Sequence, residues 1–398
     1  MARPVLEVAD VIRCHGSEYR DSRPNGLTLA ETRVMKDIVR CRTASLGGHV
    51  LHCGECGHQQ ISYNSCRNRH CPKCQAAQRD RWVADREKDL LPVHYFHVVF
   101  TIPKEVACVA FQNKKAVYNI LFRASAETLR QVAATPKHLG AQIGVLSVLH
   151  TWGQNLQHHP HVHCVIPGGG ISLDGASWAP CRQDFFVPVR VLSRLFRGKF
   201  LALLRSAQEK GELQFHGQLA SLRPSPSFRS WVSSLYKKEW VVYCKRPFGG
   251  PEHVLRYLAK YTHRTAISNR RLTSLRDGRV SFLWKDYAHG CRRRMMTLRA
   301  TEFLRRFLMH VLPKGFVRIR HFGLLANCCR QDKLARCREL LREESPGIDT
   351  APRSQEKATC LVAALICPQC SGEMRSVCEF EPGRLPAAFR TLRNARSP

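Results

Sequence analysis

The stretch IGVLSVLHTWGQNLQHHPHVHCVI, residues 143–166, contains two strand candidates, Ile143 to Thr151 and His161 to Ile166. The second ends at Pro167-Gly168-Gly169-Gly170, a turn signal that stops a strand. Side chains along a strand alternate between faces, so His161 and His163 share one face and Val162 takes the other. Two imidazoles about 7 Å apart along a strand can grip one divalent metal. Gln154 is the candidate third ligand, its amide oxygen brought back across the connection from Gln157 to Pro160. Imidazole with amide oxygen suits Mg²⁺ or Mn²⁺. An H-x-H taken alone is more often a pair of surface histidines, and His158 and His159 read as connection residues. The chemistry therefore depends on what surrounds the strand.

Upstream, His94 to Ile102 reads as a strand stopped by Pro103, and residues 105–133 carry helical periodicity through Val117, Ile120, Leu121 and Leu129. A strand, a helix and then a strand pair predict an α+β sheet with helices on one face. Residues 1–45, 80–91, 191–209 and 252–266 also read as helical. Arg279 to Trp284 reads as a strand after an Asp277-Gly278 turn. These patterns divide the chain into a helical, metal-binding N-terminal domain (1–91), a catalytic domain (92–325) and a basic C-terminal tail (326–398).

Composition points to the partner. The 398 residues carry 63 Lys and Arg against 31 Asp and Glu, a net charge of +32 spread along the chain. A folded protein this basic repels itself unless a polyanion is near, and nucleic acid is the usual one. No run of about 18 apolar residues predicts a membrane span, and the N-terminus lacks the apolar core of a signal peptide. The expected location is the cytoplasm, in association with nucleic acid. Nineteen cysteines in such a chain point to metal ligands and not to disulfides. Isolated ones such as Cys108, Cys244 and Cys291 read as small packing residues.

Cys53-Gly54-Glu55-Cys56 and Cys71-Pro72-Lys73-Cys74 form two C-x-x-C pairs. Each sets two thiolates on one turn, and two such turns close a tetrahedron around a structural Zn²⁺. Cys66 and His70, between the pairs, are candidate substitutes or members of a second site. Arg67 and Arg69 are candidate contacts to DNA phosphates. Near the C-terminus Cys367-Pro368-Gln369-Cys370 is half of a further zinc site, without a clearly spaced partner in Cys360 or Cys378.

Tyr257-Leu258-Ala259-Lys260-Tyr261 places two tyrosines at i and i+4, one helix face. Such a pair is ordinarily packing. Beside a metal site in a basic chain it reads instead as two nucleophiles for phosphodiesters, since a phosphotyrosine conserves bond energy for rejoining. Lys260 is placed to neutralise phosphate charge.

Together these segments resemble the HUH two-tyrosine rolling-circle transposases, the insertion sequence ninety-one family and its common-region relatives. The resemblance runs through Ser65 to Gln75, Phe96 to Pro103, His150 to Leu156, His159 to Cys164, Tyr257 to Tyr261, Trp284 to Tyr287, His310 to Phe316 and Arg318 to Leu325. It implies a ferredoxin-like catalytic sheet with the HUH strand at its centre and the tyrosine helix packed beneath. It implies His161 and His163 as metal ligands, Gln154 less firmly, and Tyr257 and Tyr261 as nucleophiles. The implied activity is nicking and rejoining of single-stranded DNA at transposon ends, with target DNA as the other partner. No G-x-x-x-x-G-K-[ST] is present, so strand separation is expected from host replication or helicase factors or from DNA folding. The alternatives are a plasmid or phage replication initiator or relaxase with the same chemistry, and a zinc-finger regulator without catalysis. The oligomeric state is unknown from sequence.

Overall fold

The structure is a computed structural model that describes residues 6–182, 186–245, 266–286, 290–344 and 365–384. The chain divides into two compact units. One comprises Met1–Gln78, His263–Arg305 and Ala351–Pro398; the other comprises Arg79–Thr262 and Arg306–Thr350. Both units are discontinuous in sequence, unlike the consecutive domains read from the sequence pattern.

In the second unit the strand Tyr95–Thr101 leads into helices Lys104–Gln112 and Lys114–Ala134. The hairpin strands Gly144–Trp152 and His158–Pro167 follow, then the helix Val189–Glu209 and the strand Val242–Lys245. The periodicity predicted over 105–133 is thus split by Asn113, whose side chain bonds the Val109 and Gln214 carbonyls and so ends the first helix. The five-stranded antiparallel sheet runs Ile319–Gly323, Gly144–Trp152, His158–Pro167, Tyr95–Thr101, Val242–Lys245. Its last four strands have the βαββαβ connectivity and order of a ferredoxin-like fold. Ile319–Gly323 is an added edge strand.

The histidine strand, His158–Pro167, lies at the centre. Phe100 lies opposite Val162 on one side, and Leu149 opposite Val162 on the other. Val162, Cys164 and Ile166 point into the same apolar core as Phe96, Val98, Phe100, Val145 and Leu149. Helices Lys114–Ala134 and Val189–Glu209 cover that face with Leu121, Phe122, Leu129, Phe196 and Phe200. The opposite face holds a smaller cluster of Tyr95, Leu146 and Val165, and beyond it the histidines.

In the first unit, helices Val8–Asp21 and Leu29–Arg40 bury Val8, Val11, Ile12, Val34, Met35 and Ile38. The second starts at a capping box in which Thr28 and Glu31 satisfy each other's backbone N–H. A four-stranded sheet runs Leu365–Ile366, Glu373–Phe380, Gly48–Cys53, Gln59–Tyr63. Residues 365–380 are therefore not part of a tail. They add two strands to the N-terminal hairpin, with His52 opposite Arg375 and Cys53 opposite Met374. A separate three-stranded sheet contains Leu272–Arg276, Arg279–Asp286 and Arg292–Arg299. The predicted turn sits at Asp277 and Gly278, whose φ of 50° and 68° match the left-handed pair of a type I′ hairpin.

Phe100 is fully buried and its ring lies 4.8 Å from that of Phe196. Phe100→Ala leaves a cavity beneath the histidine strand and is expected to cost about 3–5 kcal/mol, measured by denaturant unfolding. A loss below about 1 kcal/mol would show that this core is not what supports the sheet.

Candidate metal centres

Three close-packed sets of ligand atoms are found among the described residues: Cys41, Cys66, Cys71 and Cys74; Cys53, Cys56, Cys367 and Cys370; and His150, His161 and His163. Within each set all ligand atoms lie within 4.8 Å of one another. The two C-x-x-C pairs read from the sequence as one site are thus separated. Cys71 and Cys74 are joined by Cys66 and by Cys41, from the end of the helix Leu29–Arg40. Cys53 and Cys56 are joined by Cys367 and Cys370. His70 belongs to neither set of four.

In the first set the Cys66 and Cys74 sulfurs are 3.7 Å apart. A tetrahedral zinc with bonds of about 2.3 Å separates its sulfurs by about 3.8 Å, so the set fits Zn²⁺. Hydrogen bonding to Cys41 drives the thiols of Cys66 and Cys71 up, while Cys41 itself is held well below the usual thiol range by bonds from the others. Four crowded thiols disfavour ionising together, and a dication reverses that preference. Lys73, in the loop between Cys71 and Cys74, pairs with Glu7 at 2.5 Å. Arg67 is exposed with φ of 52°, while Arg69 is half-buried and its guanidinium is lowered by desolvation.

The histidine set belongs to the sheet. His161 and His163 share the face opposite the core, as strand alternation requires. The third nitrogen comes from His150, which lies opposite His161 in the register of the hairpin. Gln154, expected in that role from sequence, lies in the hairpin connection. The rings of His150 and His163 are 4.4 Å apart, and those of His161 and His163 are 4.9 Å apart. His161 Nδ1 donates to the His159 carbonyl at 2.6 Å, which fixes its tautomer and leaves the lone pair on Nε2. His97, from the neighbouring strand, shares a 2.8 Å hydrogen bond between its Nε2 and His163 Nδ1 and orients that ring.

Desolvation, then the neighbouring His159, lowers His161 to about 4. Desolvation and His150 put His163 well below the ordinary imidazole range. Both rings are therefore neutral at pH 7, the form that binds metal. Three imidazole nitrogens also change the expected ion. They suit Mn²⁺ and other transition dications better than Mg²⁺, which favours oxygen.

The turn between the two strands is braced from elsewhere in the same unit. His310 bonds Thr151 Oγ1 at 3.2 Å and the Leu156 carbonyl at 3.1 Å, and Leu156 has φ of 63°. Lys114 donates to the Met309 and Val311 carbonyls and so holds the His310 segment. Trp152 stacks on His150 with centroids 4.8 Å apart. The sequence motifs assign no role to His97, His150 or His310. Their signal is a histidine inside an otherwise apolar segment, and only strand pairing shows that two of them meet His163. Tyr257, Lys260 and Tyr261 lie outside the described residues. Lys245, the last described residue before them, lies opposite His97.

His158 shares a 2.8 Å hydrogen bond with the Tyr118 hydroxyl, and desolvation followed by Lys114 lowers it to about 3. A folded-state value below the unfolded value of about 6.5 adds stability above pH 6.5 that is lost as pH falls toward 3. The shift corresponds to an effect on the order of 5 kcal/mol. Unfolding free energies of chelated protein should therefore fall from pH 7 to pH 4, and His158→Gln should flatten that slope. An unchanged slope in the variant would show that His158 is not the group responsible.

Two family models match the chain. Residues 11–102 match the family Zn_Tnp_IS91, described as a transposase zinc-binding domain. Residues 144–332 match Y2_Tnp, described as "Putative transposase". The first match contains Cys41, Cys53, Cys56, Cys66, Cys71 and Cys74, and the second contains the three clustered histidines and both tyrosines. "Putative transposase y4qJ" of Sinorhizobium fredii (strain NBRC 101917 / NGR234) is 56% identical over 347 residues, 87% of each chain. "Transposase for insertion sequence element IS801" of Pseudomonas savastanoi pv. phaseolicola is 27% identical over 328 residues, 81% of this chain and 77% of that one. A metal-free conjugative relaxase TrwC in complex with OriT DNA is 17% identical and covers 42% of this chain and 71% of that chain. Its TM-score of 0.25 is too low to support a structural comparison.

Proposed function

This chain belongs to the Y2 transposase family with an IS91-type zinc-binding domain, and on that premise we propose that it nicks and rejoins single-stranded DNA at transposon ends through covalent 5′-phosphotyrosine intermediates. The observation that carries this reading is the cluster of three imidazoles, His161 and His163 on the face of the central strand that points away from the core and His150 opposite His161 on the strand beside it. A dication bound by His150, His161 and His163 would polarise the scissile phosphate and offset charge on its oxygens. Tyr257 and Tyr261 are the nucleophiles. The attacking tyrosine oxygen bonds to phosphorus, the bond from phosphorus to the 3′ oxygen breaks, and the proton lost by tyrosine is balanced by one gained at the 3′ oxygen. A second strand's 3′-hydroxyl reverses the step and frees the tyrosine.

Chain length supports this placement. Tyr257 is 12 positions beyond Lys245, which pairs with His97. With 252–266 helical, as the sequence predicts, that connection reaches up to about 30 Å. Lys260 neutralises phosphate charge between the tyrosines. Cys41, Cys66, Cys71 and Cys74 hold the zinc of the N-terminal domain, and the exposed Arg67 beside it meets a phosphate.

Tyr257→Phe and Tyr261→Phe each lose one hydroxyl and should retain zinc and DNA binding. Each single variant should still form some covalent adduct with a labelled single-stranded end but fail in transposition. The double variant should form none, and His150→Ala should fall at least about tenfold in adduct yield through the metal. Full adduct yield from the double variant would falsify the tyrosine assignment.

The three-stranded sheet offers a DNA-facing surface. Arg279 lies opposite Arg299, and Lys285 opposite Arg293, on the face away from buried Val280 and Phe282. Like charges directly across a strand pair destabilise it, so their presence fits a polyanion partner. Arg293→Ala/Arg299→Ala should weaken single-stranded DNA binding and reduce the slope of log affinity against log salt by about 0.7 for each phosphate no longer neutralised. A slope equal to that of the unaltered protein would place the DNA elsewhere.

A further inference from the structure

The second cysteine set draws its ligands from both ends of the chain. Cys53 and Cys56 lie within the N-terminal zinc-domain match, whereas Cys367 and Cys370 lie outside both family matches. The two pairs nevertheless sit on turns of the same construction. Cys53 N–H donates to the His58 carbonyl at 2.9 Å, and Cys367 N–H donates to the Gly372 carbonyl at 2.8 Å. Gly57 N–H returns to the Cys53 carbonyl and Ser371 N–H to the Cys367 carbonyl, both at 3.0 Å. Gly57 and Ser371 both adopt left-handed φ, 70° and 62°. The backbone of His58 hydrogen-bonds the Cys56 sulfur, and Gly372 N–H does the same to Cys370 at 3.4 Å.

Each turn thus presents two sulfurs with backbone N–H groups directed at the second, the arrangement that stabilises bound thiolates. The two turns meet head to head. Cys53 and Cys370 sulfurs are 3.4 Å apart, and those of Cys56 and Cys367 are 3.5 Å apart. These are near the edges of a tetrahedral zinc–sulfur site, about 3.8 Å. Leu51 and Met374 pack against Cys53 and Cys367 on the inner side, while Cys56 and Cys370 are exposed. A Cβ at Gly372 would lie 2.7 Å from Glu55 Oε2 and 3.2 Å from the Cys370 sulfur, so the two turns approach closely there.

We propose that Cys53, Cys56, Cys367 and Cys370 bind a second structural zinc ion, and that this ion fastens the C-terminal segment to the N-terminal zinc-binding domain. The domain is then complete only when both ends of the chain are present. A chain ending before Cys367 builds the first zinc site and leaves the second with two ligands. This assignment does not depend on the nuclease chemistry.

The test uses the intact full chain. Elemental analysis should find two zinc ions per chain. Under brief alkylation read by mass spectrometry, exposed Cys14 and Cys378 should react at once. Cys56 and Cys370, also exposed, should react on the order of tenfold more slowly, because a metal-bound thiolate is protected. After a strong chelator removes the metal, Cys53, Cys56, Cys367 and Cys370 should become reactive together. Cys367→Ser/Cys370→Ser should hold one zinc, with Cys41, Cys66, Cys71 and Cys74 still protected. Alkylation of Cys56 and Cys370 at the rate of Cys378 in zinc-replete protein overturns the proposal. So does an unchanged count of two zinc ions in the paired serine variant.

Discussion

The period-two alternation of the central strand is the constraint from which the catalytic unit is built. Val162, Cys164 and Ile166 must enter the core, because the sheet has only that face to bury against helices Lys114–Ala134 and Val189–Glu209. His161 and His163 are thereby held on the other face. A slip of one residue would bury two imidazoles in hydrocarbon and turn three apolar side chains onto the histidine face. The same apolar burial that stabilises the sheet therefore fixes the direction of the two imidazoles, and no separate scaffold is required. His97 and His150 then join through ladder register, from strands on either side.

The surroundings keep these histidines in the form that binds metal. Burial disfavours the imidazolium, and neighbouring histidines add like-charge repulsion. Hydrogen bonds to the His159 carbonyl and to His97 set ring orientation. His310 bonds the Leu156 carbonyl of the hairpin connection, and Lys114 holds the His310 segment through the Met309 and Val311 carbonyls.

The metal-binding unit follows a different rule. Its sheet is small, and its cysteine turns come from segments more than 300 residues apart, Cys53 and Cys370 being separated by 317 positions. Small sheets with little apolar area need cross-links, and thiolate–metal sites supply them without disulfides. The excess positive charge obeys a similar logic: cations face each other on the strands Arg279–Asp286 and Arg292–Arg299, a cost in isolation that a bound phosphate backbone would remove.

Local sequence was enough to determine the strand carrying His161 and His163, its alternation, the type I′ turn at Asp277-Gly278, the abundance of cysteine pairs and the attraction to polyanions. Each depends on neighbours within a few residues or on summed charge. The grouping of ligands was decided only by tertiary structure. Cys41 joins Cys66, Cys71 and Cys74 because the helix Leu29–Arg40 ends beside them. Cys53 and Cys56 turn instead to Cys367 and Cys370 because Glu373–Phe380 pairs with Gly48–Cys53. His150 enters the histidine set because strand register puts it opposite His161. A C-x-x-C pair or an H-x-H states that a ligand turn or face exists. Which other residues complete it depends on long-range pairing, driven by burial, that no local spacing encodes.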